Sequence, residues 1–339
     1  MTSSYNIGLG ILRTIMCFMV ILCHFWNADY SKGIMVIFSY MRGMAVPVFM
    51  MMSFVLMYDT LISNKTAKIK ARIERLLIPH ISWAIIYWIV YVIIDILRGG
   101  EDRTVKLSDL FWQVFTGHSP KLNPAMWYQI DVLLVTVFFV LIIKIFNNRA
   151  TYAIGLSVAI SIFLQYSEIN LIFSNLRYEL KYPLGRIAEM IPLASGGFFV
   201  SKYNLLNKYS KQIAIPISVL IIVIVAIVEP FSIISEYGYS GIDKIIVAGA
   251  LILLFYSIPF DLLPERIVER VKFFLNYTLG IYCMHNLIGR GINSFLLRLG
   301  LVKWANTFGE CLVIYSICFI FAHIACHFLK RINVKRLFL

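Results

Sequence analysis

Ten stretches of about 17–25 mostly apolar residues follow one another along this chain, and they restrict the fold more than any other feature. At about 1.5 Å per residue, a helix of about 20 residues crosses the roughly 30 Å hydrocarbon core of a bilayer. The stretches lie near 6–27, 41–58, 77–97, 125–146, 151–167, 183–200, 212–229, 242–259, 273–297 and 307–329. Of 339 residues, 60% are hydrophobic and only 14% charged, too little polar surface to coat a water-soluble globule. The expected fold is all-α, a polytopic membrane bundle of about ten transmembrane helices forming a single domain over 1–339. Gln165, Arg186, Glu189 and Arg290 interrupt the fifth, sixth and ninth stretches. Segment 107–116 (LSDLFWQVFT) is too short to cross and reads as an interfacial or re-entrant piece. Arg13 interrupts the first apolar run and no small-residue cleavage site follows, so this run is expected to stay in the mature protein.

The net charge of +13 has a distribution that matters more than its size. The basic residues sit in short loops beside apolar runs, the pattern of a membrane protein oriented by its positive loops and not of a nucleic-acid binder. With the N-terminus inside, seventeen Lys and Arg fall on that side and ten on the other. Both termini are therefore expected on the cytoplasmic side. The six cysteines (17, 23, 283, 311, 318 and 326) all lie in apolar segments and read as small hydrophobes, not as a disulfide framework or a metal site.

Within the first apolar run, Arg13 and His24 stand eleven residues apart. On a helix that spacing returns to within about 20° of the same direction, about 16 Å along the axis. Both side chains should share one stripe, with Cys17 and Val20 between them. A charged group near the bilayer centre costs about 2.5 kcal/mol or more, so such residues usually face a polar cavity or a partner. An imidazole of ordinary pKa near 6.5 can take a proton from a hydroxyl while the oxygen attacks an acyl carbon. Arg13 can bind a cofactor group or steady developing negative charge. The alternative is a packed helix whose polar residues are satisfied by their neighbours.

Further along, K-I-K-A-R-I-E-R-L-L-I-P-H (68–80) places Arg72 and Arg75 one helical turn apart at the start of the third span. Paired guanidiniums suit phosphate oxygens, as in the diphosphate of coenzyme A; the competing reading is a basic cluster that orients the protein against anionic lipid. Arg186 and Glu189, three apart, are expected to neutralise each other. Trp127 and Asp131, four apart, share a face, as do His323 and His327. No HExxH-type pattern accompanies the histidine pair, so no metal is expected. The sequence leaves open whether His285 and Glu310 face a cavity.

Taken in order, five segments resemble the membrane-bound acyltransferase-3 family. The Arg-x10-His spacing in L-R-T-I-M-C-F-M-V-I-L-C-H is similar to that family's first-span signature. V-P-V-F-M-M-M-S-F-V-L (46–56) resembles its second span, with Ser53 at the family's serine, and R-I-E-R-L-L-I-P its Arg-x-x-Arg motif. M-W-Y (126–128) matches the start of the fourth span, and G-I-Y-C-M-H-N-L-I (280–288) a late Tyr-x-x-His segment. Thr14 and Phe54 stand where the family usually has glycine.

The resemblance implies transfer of an acyl group, usually acetyl from cytoplasmic acetyl-CoA, to a hydroxyl of a cell-surface glycan or a lipid-linked saccharide precursor. It further implies His24 and Arg13 as the catalytic pair, with His24 either a general base or transiently acylated. By the same resemblance Arg72 and Arg75 bind the CoA phosphates, and Ser53, Trp127, Tyr128, Asp131, Tyr282 and His285 line the cavity. Its implied setting is a bacterial-type plasma membrane, with lipid and glycan as partners and nucleic acid excluded. The rival class is a transporter exporting a glycan intermediate or small molecule. Ten spans with polar residues at mid-depth fit that too, although no pseudo-repeated halves are evident.

Overall fold

The structure is a computed structural model that describes residues 6–27, 34–97, 105–119, 121–146, 149–166, 178–228, 239 and 241–328. Every regular element among them is helical: α1 (Ile7–Phe25), α2 (Ile34–Gly43), α3 (Ala45–Ile62), α4 (Thr66–Leu97), α5 (Leu107–Thr116), α6 (Trp127–Ile145), α7 (Ala150–Tyr166), α8 (Tyr178–Lys202), α9 (Leu205–Lys208), α10 (Lys211–Val228), α11 (Ile242–Ser257), α12 (Glu265–Leu275), α13 (Thr278–Arg298) and α14 (Phe308–Phe328). A helix stands at each of the ten apolar stretches. Among the described residues six helical segments are long and apolar enough to cross a bilayer: Ile7–Phe25, Ala45–Ile62, Thr66–Leu97, Pro124–Ile145, Lys211–Val228 and Phe308–His327. α7 and α11 are shorter, at 17 and 16 residues. The basic residues Lys330, Arg331, Lys335 and Arg336, on which the expected side of the C-terminus partly rests, lie outside the described residues.

Helix boundaries follow local chemistry. The Asn6 side chain accepts a hydrogen bond from the Leu9 N–H (3.0 Å), capping α1. The second span begins later than its apolar run, because residues 34–43 form the separate helix α2. Pro47 then sits in the first turn of α3, where a missing N–H leaves no helical bond unmade. α4 is longer than its apolar core at 32 residues, and Arg72 and Arg75 lie inside it. Pro79 removes the helical hydrogen bond to the Arg75 carbonyl. α5 is a discrete ten-residue helix that ends at Gly117, whose φ of 68° suits glycine.

Apolar faces lie open on the surface. α10 exposes Ile213, Ile217, Leu220, Ile224 and Ile227, which recur every three or four residues along one side. Such a face is stable in lipid and not in water. This is a membrane protein.

The chain divides into two compact units, Met1–Leu56 with Gly196–Leu339, and Met57–Ser195. The divisions fall inside α3 and α8, so each of those helices contributes to both units. In the first unit α1 packs against α2, α11, α12, α13 and α14. Its core includes Leu12, Met16, Ile21, Leu22 and Phe54. Phe54, where the related pattern has glycine, packs on Phe198 with ring centroids 5.9 Å apart. The space comes instead from Gly197, where a Cβ would lie 2.4 Å from the Met51 carbonyl oxygen. Thr14 bonds back to the Gly10 carbonyl (3.2 Å) and so satisfies its own hydroxyl. In the second unit α4, α5 and α6 pack together and α7 lies on α6. His80 ties α4 to α5 by an Nε2–H bond to the Val114 carbonyl (3.0 Å).

Candidate active site

The α1 stripe meets one neighbouring segment along its length. Arg13 Nη2 donates to the Leu275 carbonyl (2.7 Å), Cys17 Sγ to the Thr278 carbonyl (3.5 Å), and the His24 ring lies 5.4 Å from the His285 ring. Partners 275, 278 and 285 rise in step with 13, 17 and 24. The helical periodicity therefore puts these side chains on one face, as expected, and α1 runs alongside α13 in the same chain direction.

Leu275 ends α12, so its carbonyl lacks a helical partner, and a guanidinium there also meets the negative end of the helix dipole. Arg13 is half-buried, and its Nε is buried with no hydrogen-bond partner. One edge of Arg13 thus fixes the α12–α13 junction.

His24 and His285 are unequal. His285 is completely buried, and its Nδ1–H donates to the Tyr282 carbonyl one turn back. That bond fixes the tautomer and leaves Nε2 with its lone pair, buried and without a hydrogen-bond partner. Tyr282 is buried, with its ring 5.8 Å from that of His285. His24, by contrast, is exposed. Close approach of α1 to α13 depends on Gly289, where a Cβ would fall 2.3 Å from Phe25 Cζ. An accessible imidazole backed by a buried one can accept and return a proton from outside the protein.

Two arginines that sequence reasoning placed outside the site stand near His24. Arg42 Nη1 donates to the Trp26 carbonyl (3.5 Å), and the Arg42 carbonyl accepts from Cys23 Sγ (3.4 Å). Arg290 follows Gly289 on α13. Both charges act on the His24 imidazole. Arg290 is visible in the sequence as a charge inside an apolar run; Arg42, at the start of the 41–58 stretch, carries no local signal of its place near His24. Ser53 is half-buried on α3, and among the described residues nothing ties its hydroxyl to His24. Five of the six cysteines are buried; Cys23 is exposed.

The second unit holds the remaining candidates. Arg75 is exposed on α4, and Arg72 is half-buried with its Nε lacking a hydrogen-bond partner. Tyr128 is close enough to interact electrostatically with Arg72. Asp131 is completely buried and receives Arg186 Nε on Oδ2 (2.9 Å) and Nη2 on Oδ1 (3.3 Å). Arg186 pairs with Asp131 on α6, a partner that its position in the sequence does not suggest. The same guanidinium donates to the Thr116 carbonyl (3.0 Å) and lies 4.9 Å from the Trp127 ring centroid. Trp127 and Asp131 thus share a face, as their spacing implies, and that face grips Arg186. In the adjoining loop, burial pushes the His118 imidazole below its ordinary value, and the Arg186 charge adds to this.

His323 and His327 keep their one-face spacing on α14 with ring centroids 6.4 Å apart, and His323 Nδ1 is hydrogen-bonded to the Tyr277 hydroxyl (3.1 Å). Glu310 completes a capping arrangement in which its carboxylate accepts from the Asn306 N–H and its N–H donates to Thr307 Oγ1.

Compared with known families, the chain matches an acyltransferase domain over residues 6–323, a range that runs through both units. No curated protein and no solved structure matches it.

Proposed function

The chain belongs to the acyltransferase-3 family and is a membrane acyltransferase; on that premise we propose that it moves acetyl, or another short acyl group, from cytoplasmic acyl-CoA to a hydroxyl of a surface glycan or its lipid-linked precursor. The observation that carries this reading is the exposed His24 imidazole, 5.4 Å from the buried His285 ring and on the same stripe of α1 as Arg13. In the proposed reaction the acceptor hydroxyl gives its proton to His24 as its oxygen bonds to the thioester carbonyl carbon. The C–S bond breaks, and the proton passes to the departing CoA thiolate. Arg13, about 16 Å along the stripe from His24, binds a polar group of the donor as the donor extends toward that imidazole. Arg72 and Arg75 hold the donor's phosphates; an exposed guanidinium one turn from a half-buried one with an unpartnered N–H fits that task. The setting proposed is a bacterial-type plasma membrane with both termini on the cytoplasmic side.

One experiment tests the reading: the purified full chain is given acetyl-CoA and an acceptor glycan, and both CoA release and glycan acetylation are followed. His24→Ala should lower turnover by about 10²–10⁴-fold while the melting temperature stays put. Arg72→Ala with Arg75→Ala should act mainly on KM for the donor. Wild-type turnover in His24→Ala overturns the assignment.

A further inference from the structure

His24 lies in the last turn of α1, and by Trp26 the chain has left the helix for extended backbone (φ −110°, ψ 111°). A helix end frays unless something ties it down, because its last groups lack helical partners. This end is tied by the loop between α13 and α14. The Asn27 N–H donates to the Asn306 carbonyl (3.0 Å), and the Trp26 ring lies 5.4 Å from that of Phe308, the first residue of α14. Asn306 is itself held from two further directions. Its N–H donates to the buried Glu310 carboxylate of α14, and its Oδ1 accepts from Asn293 Nδ2 of α13 (2.9 Å). One residue thus joins the His24 end of α1 to both neighbouring helices.

The backbone of Asn306 shows that this junction is specified. Its φ is 58°, in the left-handed region that is costly for a residue with a Cβ and that asparagine tolerates better than most. Asn204 has a similar φ of 49°, but its bonds stay within its own turn: its carbonyl accepts from the Asn207 N–H (3.1 Å) and its Oδ1 from Asn207 Nδ2 (2.8 Å). At Asn306 the same conformation serves a segment from the other end of the chain. A backbone of this kind persists where surrounding bonds enforce it, and such residues cluster where placement matters.

We propose that Asn306 is a positioning residue for His24: by holding Asn27 it sets where the imidazole stands relative to His285 and to an incoming hydroxyl. The proposal rests on the acyl-transfer reading. A general base has to lie within hydrogen-bond reach of the proton it takes, and a misplacement of about 1 Å can cost about 10²-fold in rate. Asn306 acts on the imidazole through Asn27, so its loss falls on kcat and leaves KM for the donor in place.

Three variants of the full chain in nanodiscs test this. Asn306→Val keeps the carbonyl but opposes the left-handed backbone, whereas Asn306→Gly accepts that backbone and loses the side-chain bond to Asn293. Asn27→Pro deletes the N–H that Asn306 receives, and the extended Trp26 before it suits a following proline. Kinetics with acetyl-CoA and an acceptor glycan are measured together with melting temperature. Hydrogen exchange is followed at the Trp26 amide, which closes α1 on the Leu22 carbonyl (3.1 Å). Asn306→Val and Asn27→Pro should each speed that exchange by about tenfold or more and lower kcat by about 10–10²-fold, with donor KM within about twofold of wild type. Combined, they should cost no more than the worse of the two, since both break one bond. Asn306→Gly should recover kcat to within about threefold of wild type.

Wild-type kcat in Asn306→Val and Asn27→Pro overturns the proposal and leaves acyl transfer standing. A fall in kcat without faster Trp26 exchange also overturns it, as does one that follows melting temperature alone. If Asn306→Val does not fold, Asn27→Pro carries the same two outcomes. Wild-type protein that consumes no acetyl-CoA removes the acyl-transfer reading and this proposal with it.

Discussion

Asp131 on α6 and His285 on α13 are both completely buried, yet their partners differ in kind. Asp131 receives one N–H of the same guanidinium on each oxygen: Arg186 Nε and Nη2 reach it from α8, and the guanidinium continues to the Thr116 carbonyl and the Trp127 face. His285 bonds through Nδ1 to its own helix, its Nε2 is buried without a hydrogen-bond partner, and a second imidazole ring lies 5.4 Å away. Burying a polar group stabilises a fold only when its bonds are made. The first arrangement holds three chain segments together. The second keeps an imidazole nitrogen without a hydrogen bond beside an exposed imidazole, a condition that suits a reacting site.

Stability measurements can break this contrast. Asp131→Ala leaves Arg186 as a buried cation without its anion and should destabilise the protein by about 3–5 kcal/mol, read as a loss of melting temperature in detergent. A near-silent Asp131→Ala would mean that the ion pair is not structural. Gly289→Ala pushes a methyl group into Phe25 and should cost about 1–3 kcal/mol. Because Phe25 adjoins His24, turnover should fall in this variant by more than the lost folded fraction explains. A turnover that tracks folded protein alone would detach the close approach of α1 and α13 from the chemistry.

His285→Phe should have the smallest effect on stability, about 1 kcal/mol or less. It removes a local hydrogen bond together with a buried nitrogen that makes none. Its turnover should nevertheless drop. If His285→Phe proved as destabilising as Asp131→Ala, the distinction between the two regions would fail.

Part of this arrangement follows from short-range pattern. Each apolar stretch became a helix, and the eleven-residue spacing of Arg13 and His24 placed both on one face, because the helical period is set by the backbone. The same logic paired Trp127 with Asp131. It does not reach the ion pair of Arg186 with Asp131, 55 residues away in sequence. Nothing local marks a contact of that separation. The splitting of residues 34–62 into two helices was likewise hidden, because an apolar run does not record where its helix restarts.

The sequence by itself determined a membrane protein built from helices, the polar stripe on α1 and its family. Those depend on hydropathy, period and motif, which are properties of neighbouring residues. Only the tertiary structure decided that His24 is exposed while His285 is sealed, that Arg13 spends one edge on the end of α12, and that Arg42 is tied to the end of α1. Those facts depend on how α1, α2 and α13 pack, and packing is decided by shape and by satisfying buried polar groups among residues that lie far apart along the chain.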